Sequence, residues 1–273
     1  MSSETEKIVS IHIPKTGGTS LRDFFCKLYG DDKIIYYYPE GTGLYRAKDY
    51  RLSIANPRID RLKSLLVAHT QGQKLLNLLI RMRHNKKAPQ LTFENLPNDW
   101  TILHGHFNSD MLPGNITESA KKVTVIRNPL KRALSQYKFF LTRPDVVGKQ
   151  PWFFRGMTLE DFLLADHVTN FQTQFLGNDK LENFDHVGIT ENLSDYKRFF
   201  DIYGNIPIGR LNTTDSVILP VKPSQQLIYK FKQLNRQDYL LYDYAKNRTS
   251  GDGRVNNPKN IRGKCSSAGP QCI

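Results

Sequence analysis

Lys15 stands among the densest set of anion-binding groups in the chain, Pro14-Lys15-Thr16-Gly17-Gly18-Thr19-Ser20. Glycines in series let successive backbone N–H groups turn into one concavity. The hydroxyls of Thr16, Thr19 and Ser20 add donors, and the lysine adds a full charge. Such a set suits a phosphate. It is not the Gly-Lys-Ser/Thr loop of ATP- and GTP-binding proteins, because Lys15 precedes Gly17 and Gly18, and it lacks the spaced glycines of a dinucleotide fingerprint. A second set starts at Arg127, with Ser135 two helical turns further on; a guanidinium and a hydroxyl can grip one phosphate dianion. Arg132 between them is expected to orient the loop or pair with an acid. The third set is His104-Gly105-His106-Phe107. Histidines at i and i+2 of an extended segment point the same way. An imidazole, with a reference pKa of about 6.5, can take the proton of an attacking hydroxyl near neutral pH. No cluster of Cys, Asp or Glu stands nearby to complete a zinc set, so no metal is expected. His12 reads as a packing residue under the sheet.

These residues need strands and helices to position them. Lys7–Ile13 is apolar and β-branched, a buried parallel strand leading into the glycine loop. Leu21, Phe24, Phe25 and Leu28 follow at helical spacing until Gly30. Further strands are expected at Ile34–Tyr38, Trp100–Leu103, Lys121–Arg127 and Asp185–Thr190. Pro129 opens a helix at its favoured first position, with Ala133, Leu134, Tyr137, Phe140 and Leu141 along one face. Residues 62–66 and 75–82 look helical, as do 158–166, 169–176, 192–203, 224–234 and 236–248. Strands alternating with helices predict an α/β fold, a P-loop-like parallel sheet flanked by helices, with a mostly helical second half. Residues 1–250 are expected to form a single domain and 251–273 a loop or tail.

Composition narrows the class. The 273 residues are 39% hydrophobic and 24% charged, enough for a packed core. The formal net charge of +13 favours anionic ligands without choosing among nucleotides, glycans, membranes and nucleic acids. Much of it lies in the basic insertion 41–90, where eleven Lys and Arg face only Asp49 and Asp60. The polar start and the lack of a long apolar run predict neither signal peptide nor membrane span, hence a cytoplasmic protein as the chain is given. Cys26 reads as core; Cys265 and Cys272 lie in the tail and could pair, although a cytosolic setting argues for free thiols.

Ile13–Ser20 closely resembles the 5′-phosphosulfate loop of sulfotransferases that use 3′-phosphoadenosine 5′-phosphosulfate (PAPS). The Lys-Thr-Gly-Gly-Thr-Ser form resembles the Golgi glycan enzymes of the heparan sulfate 2-O and 6-O type and their bacterial relatives. Arg127, Pro129, Arg132, Ser135 and Tyr137 match that family's 3′-phosphate signature in order and spacing. His104-Gly105-His106 is similar to the segment that supplies the catalytic histidines of the 2-O enzymes. Val187–Leu193, Asn170-x-x-Thr173-x-x-Leu176, Leu211–Thr214 and Asn235-x-x-Asp238-x-x-Leu241-Tyr242 also look like family segments, and Arg262-Gly263-Lys264 resembles its late basic loop loosely.

The resemblance implies a PAPS-dependent O-sulfotransferase. Pro14, Lys15, Thr16, Gly17, Gly18, Thr19, Ser20, Arg127 and Ser135 would bind the donor. Lys15 would neutralise the leaving phosphate, and His106 or His104 would be the base, His106 favoured because Gly105 makes it approachable. The partner would be a hydroxyl acceptor, a carbohydrate by resemblance and an anionic one if Arg46, Arg51, Arg81 and Arg83 of the insertion bind it. Two other readings stand beside it. A P-loop nucleotide kinase shares strand, loop and helix but lacks the Walker lysine and an obvious magnesium-binding acid. A basic nucleic-acid-binding module shares the charge, but no specific nucleic-acid motif is present.

Overall fold

The computed structural model describes residues 6–38, 43–48, 91–142, 153–154, 156–193, 199–200, 208 and 222–249. The helices expected at 62–66 and 75–82, most of 192–203, the tail with Cys265 and Cys272, and the segments Leu211–Thr214 and Arg262–Lys264 lie outside these residues.

Six strands form one sheet in the order β3-β2-β4-β1-β5-β6. They are β1 (Ile8–Ile11), β2 (Ile34–Tyr38), β3 (Gly43–Arg46), β4 (Ile102–Gly105), β5 (Lys121–Ile126) and β6 (His186–Ile189). All neighbours run parallel except the edge pair β2–β3. The expected α/β architecture is therefore present, with two departures. Strand β3 was not anticipated: Gly-Leu-Tyr-Arg is too short and too mixed to show a period of two. The third expected strand, placed at Trp100–Leu103, lies two residues later and carries His104 inside the ladder, paired with Ser10 and Tyr36.

The side chains of the central strands alternate between two cores, as a pleated backbone requires. Val9, Ile11, Ile13, Ile35, Leu103 and Phe107 face one core together with Leu176 and Ala245. Ile8, Ile34, Tyr36 and Ile102 face the other, against Leu21, Phe24 and Phe25 of helix α1 (Gly18–Tyr29). The period of two thus assigns Ser10, His12, His104 and His106 to the α1 side. Each large side chain removed from water there contributes about 1.5–3 kcal/mol before entropy is counted.

Helix α2 (Gly114–Ser119) links β4 to β5, and α3 (Pro129–Thr142) follows β5. α3 packs through Ala133, Tyr137 and Phe140 against α4 (Leu159–Leu163) and α6 (Gln225–Leu234), in a core closed by Phe162 and Phe231. Thr158 and Asp161 form a reciprocal capping box at the start of α4. Helices α5 (Phe171–Leu176) and α7 (Arg236–Thr249) cover the other core. Among the described residues, no helix is long and apolar enough to cross a membrane.

Candidate active site

The phosphate loop, His106, Arg127 and Thr190 all stand just beyond the carboxyl ends of parallel strands, where β1 lies between β4 and β5. Open α/β sheets bind ligands at this edge, where successive crossovers part to opposite sides.

The loop is a chain of constrained turns. Lys15 and Gly17 both have positive φ, 74° and 97°. A lysine seldom adopts that conformation, and it must be held there. Thr16 does so by donating its hydroxyl to the Ile13 carbonyl at 2.8 Å. The Thr16 hydroxyl, expected as a donor to the ligand, here shapes the turn. Gly17 is the N-cap of α1, in a left-handed conformation and with no side-chain hydrogen bond of its own to the helix. Gly18 is required by packing: a Cβ there would lie 1.7 Å from Cε1 of His12. Thr19 is exposed and Ser20 buried.

The segment that starts at Arg127 meets the glycine loop directly. Arg127 donates from Nη1 to the Lys15 carbonyl at 2.9 Å. Its backbone is gripped on both sides by Gln172, whose Oε1 accepts from Arg127 N and whose Nε2 donates to Arg127 O, each at 2.9 Å. Thr190 donates from Oγ1 to Thr16 O at 3.0 Å and to Ile126 O at 3.3 Å, tying loop and strand together. Asn128 N donates to Glu191 Oε1 at 3.3 Å, a structural part for that carboxylate. Ser135 is nearly buried on the inner face of α3. Arg132, fully buried, donates to Gln136 Oε1 at 2.7 Å and lies over the Phe171 ring.

Three cations thus converge. Burial, and then Arg127 and Arg132, lower the Lys15 ammonium to about 8. Burial lowers Arg132 to about 10, with Asp238 opposing and Arg127 reinforcing the shift. Cations that depress one another in a low-dielectric pocket call for an anion.

The histidines form a cluster of three rather than a pair. His12 stacks on His104 with centroids 5.1 Å apart and sits 4.8 Å from His106. His104 is fully buried, its Nδ1 2.9 Å from Ser10 Oγ. His106 is partly exposed, edge-on to Tyr38 at 4.7 Å. Burial and the Arg22 guanidinium hold His106 near 4, so its ring is neutral at physiological pH. Gly105 has another reason than the one expected of it. A Cβ there would lie 2.0 Å from the Tyr37 carbonyl, so the glycine admits β2 rather than loosening His106. His12, expected as a packing residue, is buried, with its ring between the phosphate loop and both other imidazoles.

Of the expected acceptor arginines, Arg46 is not brought together with these groups. Arg46 lies toward the opposite end of β2, where it donates to the Asp32 carbonyl and pairs with Asp99. It is part of the sheet edge. Arg51, Arg81 and Arg83 lie outside the described residues. Gln172 and Thr190 are the site residues that sequence reasoning missed. Their neighbours Thr173, Asp238 and Asn235 lie in family-like segments, and the structure shows what they hold in place. Asp238 accepts from Gln172 N, Thr173 N and Thr173 Oγ1, while Asn170 N donates to Asn235 Oδ1. Among the described residues, no group of His, Cys, Asp and Glu could hold a metal ion.

A family model described as the sulfotransferase family matches residues 1–207, well over half of the chain, and the chain belongs to that family. Among solved structures it is similar to a retinol dehydratase in complex with androsterone and inactive cofactor PAP. That likeness has 12% identity and a TM-score of 0.41, covering 95% of this chain and 84% of the other. A mouse sulfotransferase complexed with PAP shows 14% identity and a TM-score of 0.38, with 89% and 90% covered. No curated protein matches the chain. Family membership decides against the kinase and nucleic-acid readings.

Proposed function

We propose that the chain transfers a sulfuryl group from PAPS to the hydroxyl of a carbohydrate acceptor, with His106 as general base. One observation carries the reading: Arg127 donates to the carbonyl of Lys15, so the two anion-binding segments, 112 residues apart, form one continuous cationic edge. A nucleotide phosphorylated at both its 5′ and 3′ ends fits such an edge, and PAPS supplies at the 5′ end a sulfuryl group on a phosphate leaving group.

The residues divide the work. The backbone of Lys15–Thr19 and the start of α1 receive the 5′-phosphate, with Pro14 and Ser20 framing the turn. The Lys15 ammonium stabilises the charge that grows on the departing phosphate oxygen, which is where preorganised charge lowers a barrier most. Arg127 and Ser135 take the 3′-phosphate. As the acceptor oxygen bonds to sulfur and the sulfur–phosphate-oxygen bond breaks, the hydroxyl proton passes to His106. His104, wholly enclosed and bonded to Ser10, stacks on the His12 ring that lies beside His106.

The test is a transfer assay with labelled PAPS against a heparosan oligosaccharide, androsterone and retinol, beside binding of 3′-phosphoadenosine 5′-phosphate (PAP) and of ATP–Mg²⁺. Label on the oligosaccharide and preference for PAP are expected. Preference for ATP–Mg²⁺ would overturn the donor, and label confined to androsterone or retinol would overturn the acceptor class.

A further inference from the structure

His12 is an expensive residue in its place. It is about nine-tenths buried, and neither Nδ1 nor Nε2 has a hydrogen-bond partner. Leaving such polar atoms unpaired costs on the order of 1–3 kcal/mol, and phenylalanine would fill the same space without that cost. The ring is also trapped: Gly18 lies against it on the loop side, and His104 stacks on it at an interplanar angle of 12°. On its remaining side is His106, whose own Nδ1 is buried and unpartnered. Two adjacent imidazoles with unfilled nitrogens on facing rings complete each other once one of them carries a proton.

We infer that His12 is a positioning residue for the base of the proposed transfer, accepting a hydrogen bond from Nδ1–H of His106 when the Nε2 of that ring has taken the acceptor proton. Centroids 4.8 Å apart and tilted by 52° leave room for one N–H···N bond after a small rotation. The arrangement follows the logic of base and orienter, with a neutral imidazole where hydrolytic triads use a carboxylate. A neutral orienter suits this site. Lys15 and Arg22 face the rings from the loop and from α1, with His104 on β4 and Tyr38 on β2 closing the sides. A carboxylate here would pair with those cations instead. Burial, and then His106, His104, Arg22 and Lys15, keep His12 unprotonated and so able to accept. Because the ring also touches Gly18, the base and the phosphate loop are built against a common piece.

The inference rests on His106 being the base, and the test separates the two. NMR of histidine-labelled protein in the PAP complex reads the His106 pKa directly, independent of any acceptor. In His12→Phe an aromatic ring, somewhat larger, stays and the acceptor nitrogen goes. PAP affinity within twofold of wild type is expected, with Tm unchanged or raised. The His106 pKa should fall by about one unit, and kcat on the best acceptor of the panel by about 10–100-fold. The acid limb of the pH–rate profile moves with the pKa, to lower pH. His12→Asn, which restores an acceptor atom, recovers part of both. An unchanged His106 pKa in His12→Phe overturns the inference. So does a loss in which kcat, PAP affinity and Tm fall together in both variants, since that describes packing alone. Full activity in His106→Ala would instead remove the base assignment; an inactive His106→Ala beside a fully active His12→Phe removes only the role of His12.

Discussion

Lys15 shows what one residue gives up to serve a site. In the free protein its ammonium is partly buried beside two arginines, and its pKa falls from about 10.5 to about 8. The charged form is therefore disfavoured by folding. Between those two values the unfolded chain binds more protons than the folded one, so this group makes stability rise with pH there. Lys15→Met should stabilise the free protein by about 1–3 kcal/mol near neutral pH while lowering kcat by ~10³ or more. Urea denaturation and turnover measure the two halves. A bound PAP reverses the first, because the dianion supplies the charge that the lysine lacks. A methionine variant less stable than wild type without ligand, yet fully active, would contradict both.

At the scale of elements, the proposed 3′-phosphate side of the site depends on α5 and α7 as well as on the strand that leads into Arg127. The two helices cap one another through Asn170, Asn235 and Asp238, and so hold Gln172 behind the strand end. Gln172 is fully enclosed and satisfies both backbone groups of Arg127. Gln172→Leu keeps the volume but leaves an N–H and a C=O unpaired, at a cost of about 2–4 kcal/mol. With the guanidinium no longer aimed, PAP affinity should fall about tenfold, while kcat at saturating donor changes less than threefold. Calorimetric titration and initial rates distinguish this from a general loss of fold, in which both would drop.

For the whole molecule, the cluster of buried histidines ties stability to acid pH. An unfolded histidine takes up a proton near 6.5, whereas burial and Arg22 keep His106 unprotonated to about 4, and His12 and His104 are also lowered, first by burial. Below 6.5 the unfolded state binds more protons, so stability falls as pH drops through the window from about 6.5 to 4. Urea midpoints measured across that window should decline steeply in wild type and less so in His104→Leu. An equally steep decline in the variant would locate the sensitivity elsewhere. PAP works in the opposite sense. At a hundred times its dissociation constant it should stabilise the fold by about 2.7 kcal/mol, whereas ATP–Mg²⁺ at the same concentration should do less.

Local chemistry carried much of this in the sequence alone. The order strand, glycine loop, hydroxyls, helix around Lys15 is legible because Gly, Pro and β-branched residues restrict the backbone within a few residues of themselves. The same holds for Pro129 opening α3 and for the five matched positions from Arg127 to Tyr137. The alternation that sends His104 and His106 to one side follows from the pleat. Only the tertiary structure decided which distant groups meet. Parallel pairing of β1 with β4 and β5 is set by packing across the whole sheet, and it brought His12 between Gly18 and His106, joined Arg127 to Lys15 and set Gln172 behind that arginine. The same packing removed Arg46 to the far edge and turned the Thr16 hydroxyl back on its own loop. Contacts between residues a hundred positions apart leave no local period or spacing to read, because the energy that selects them belongs to the assembled core.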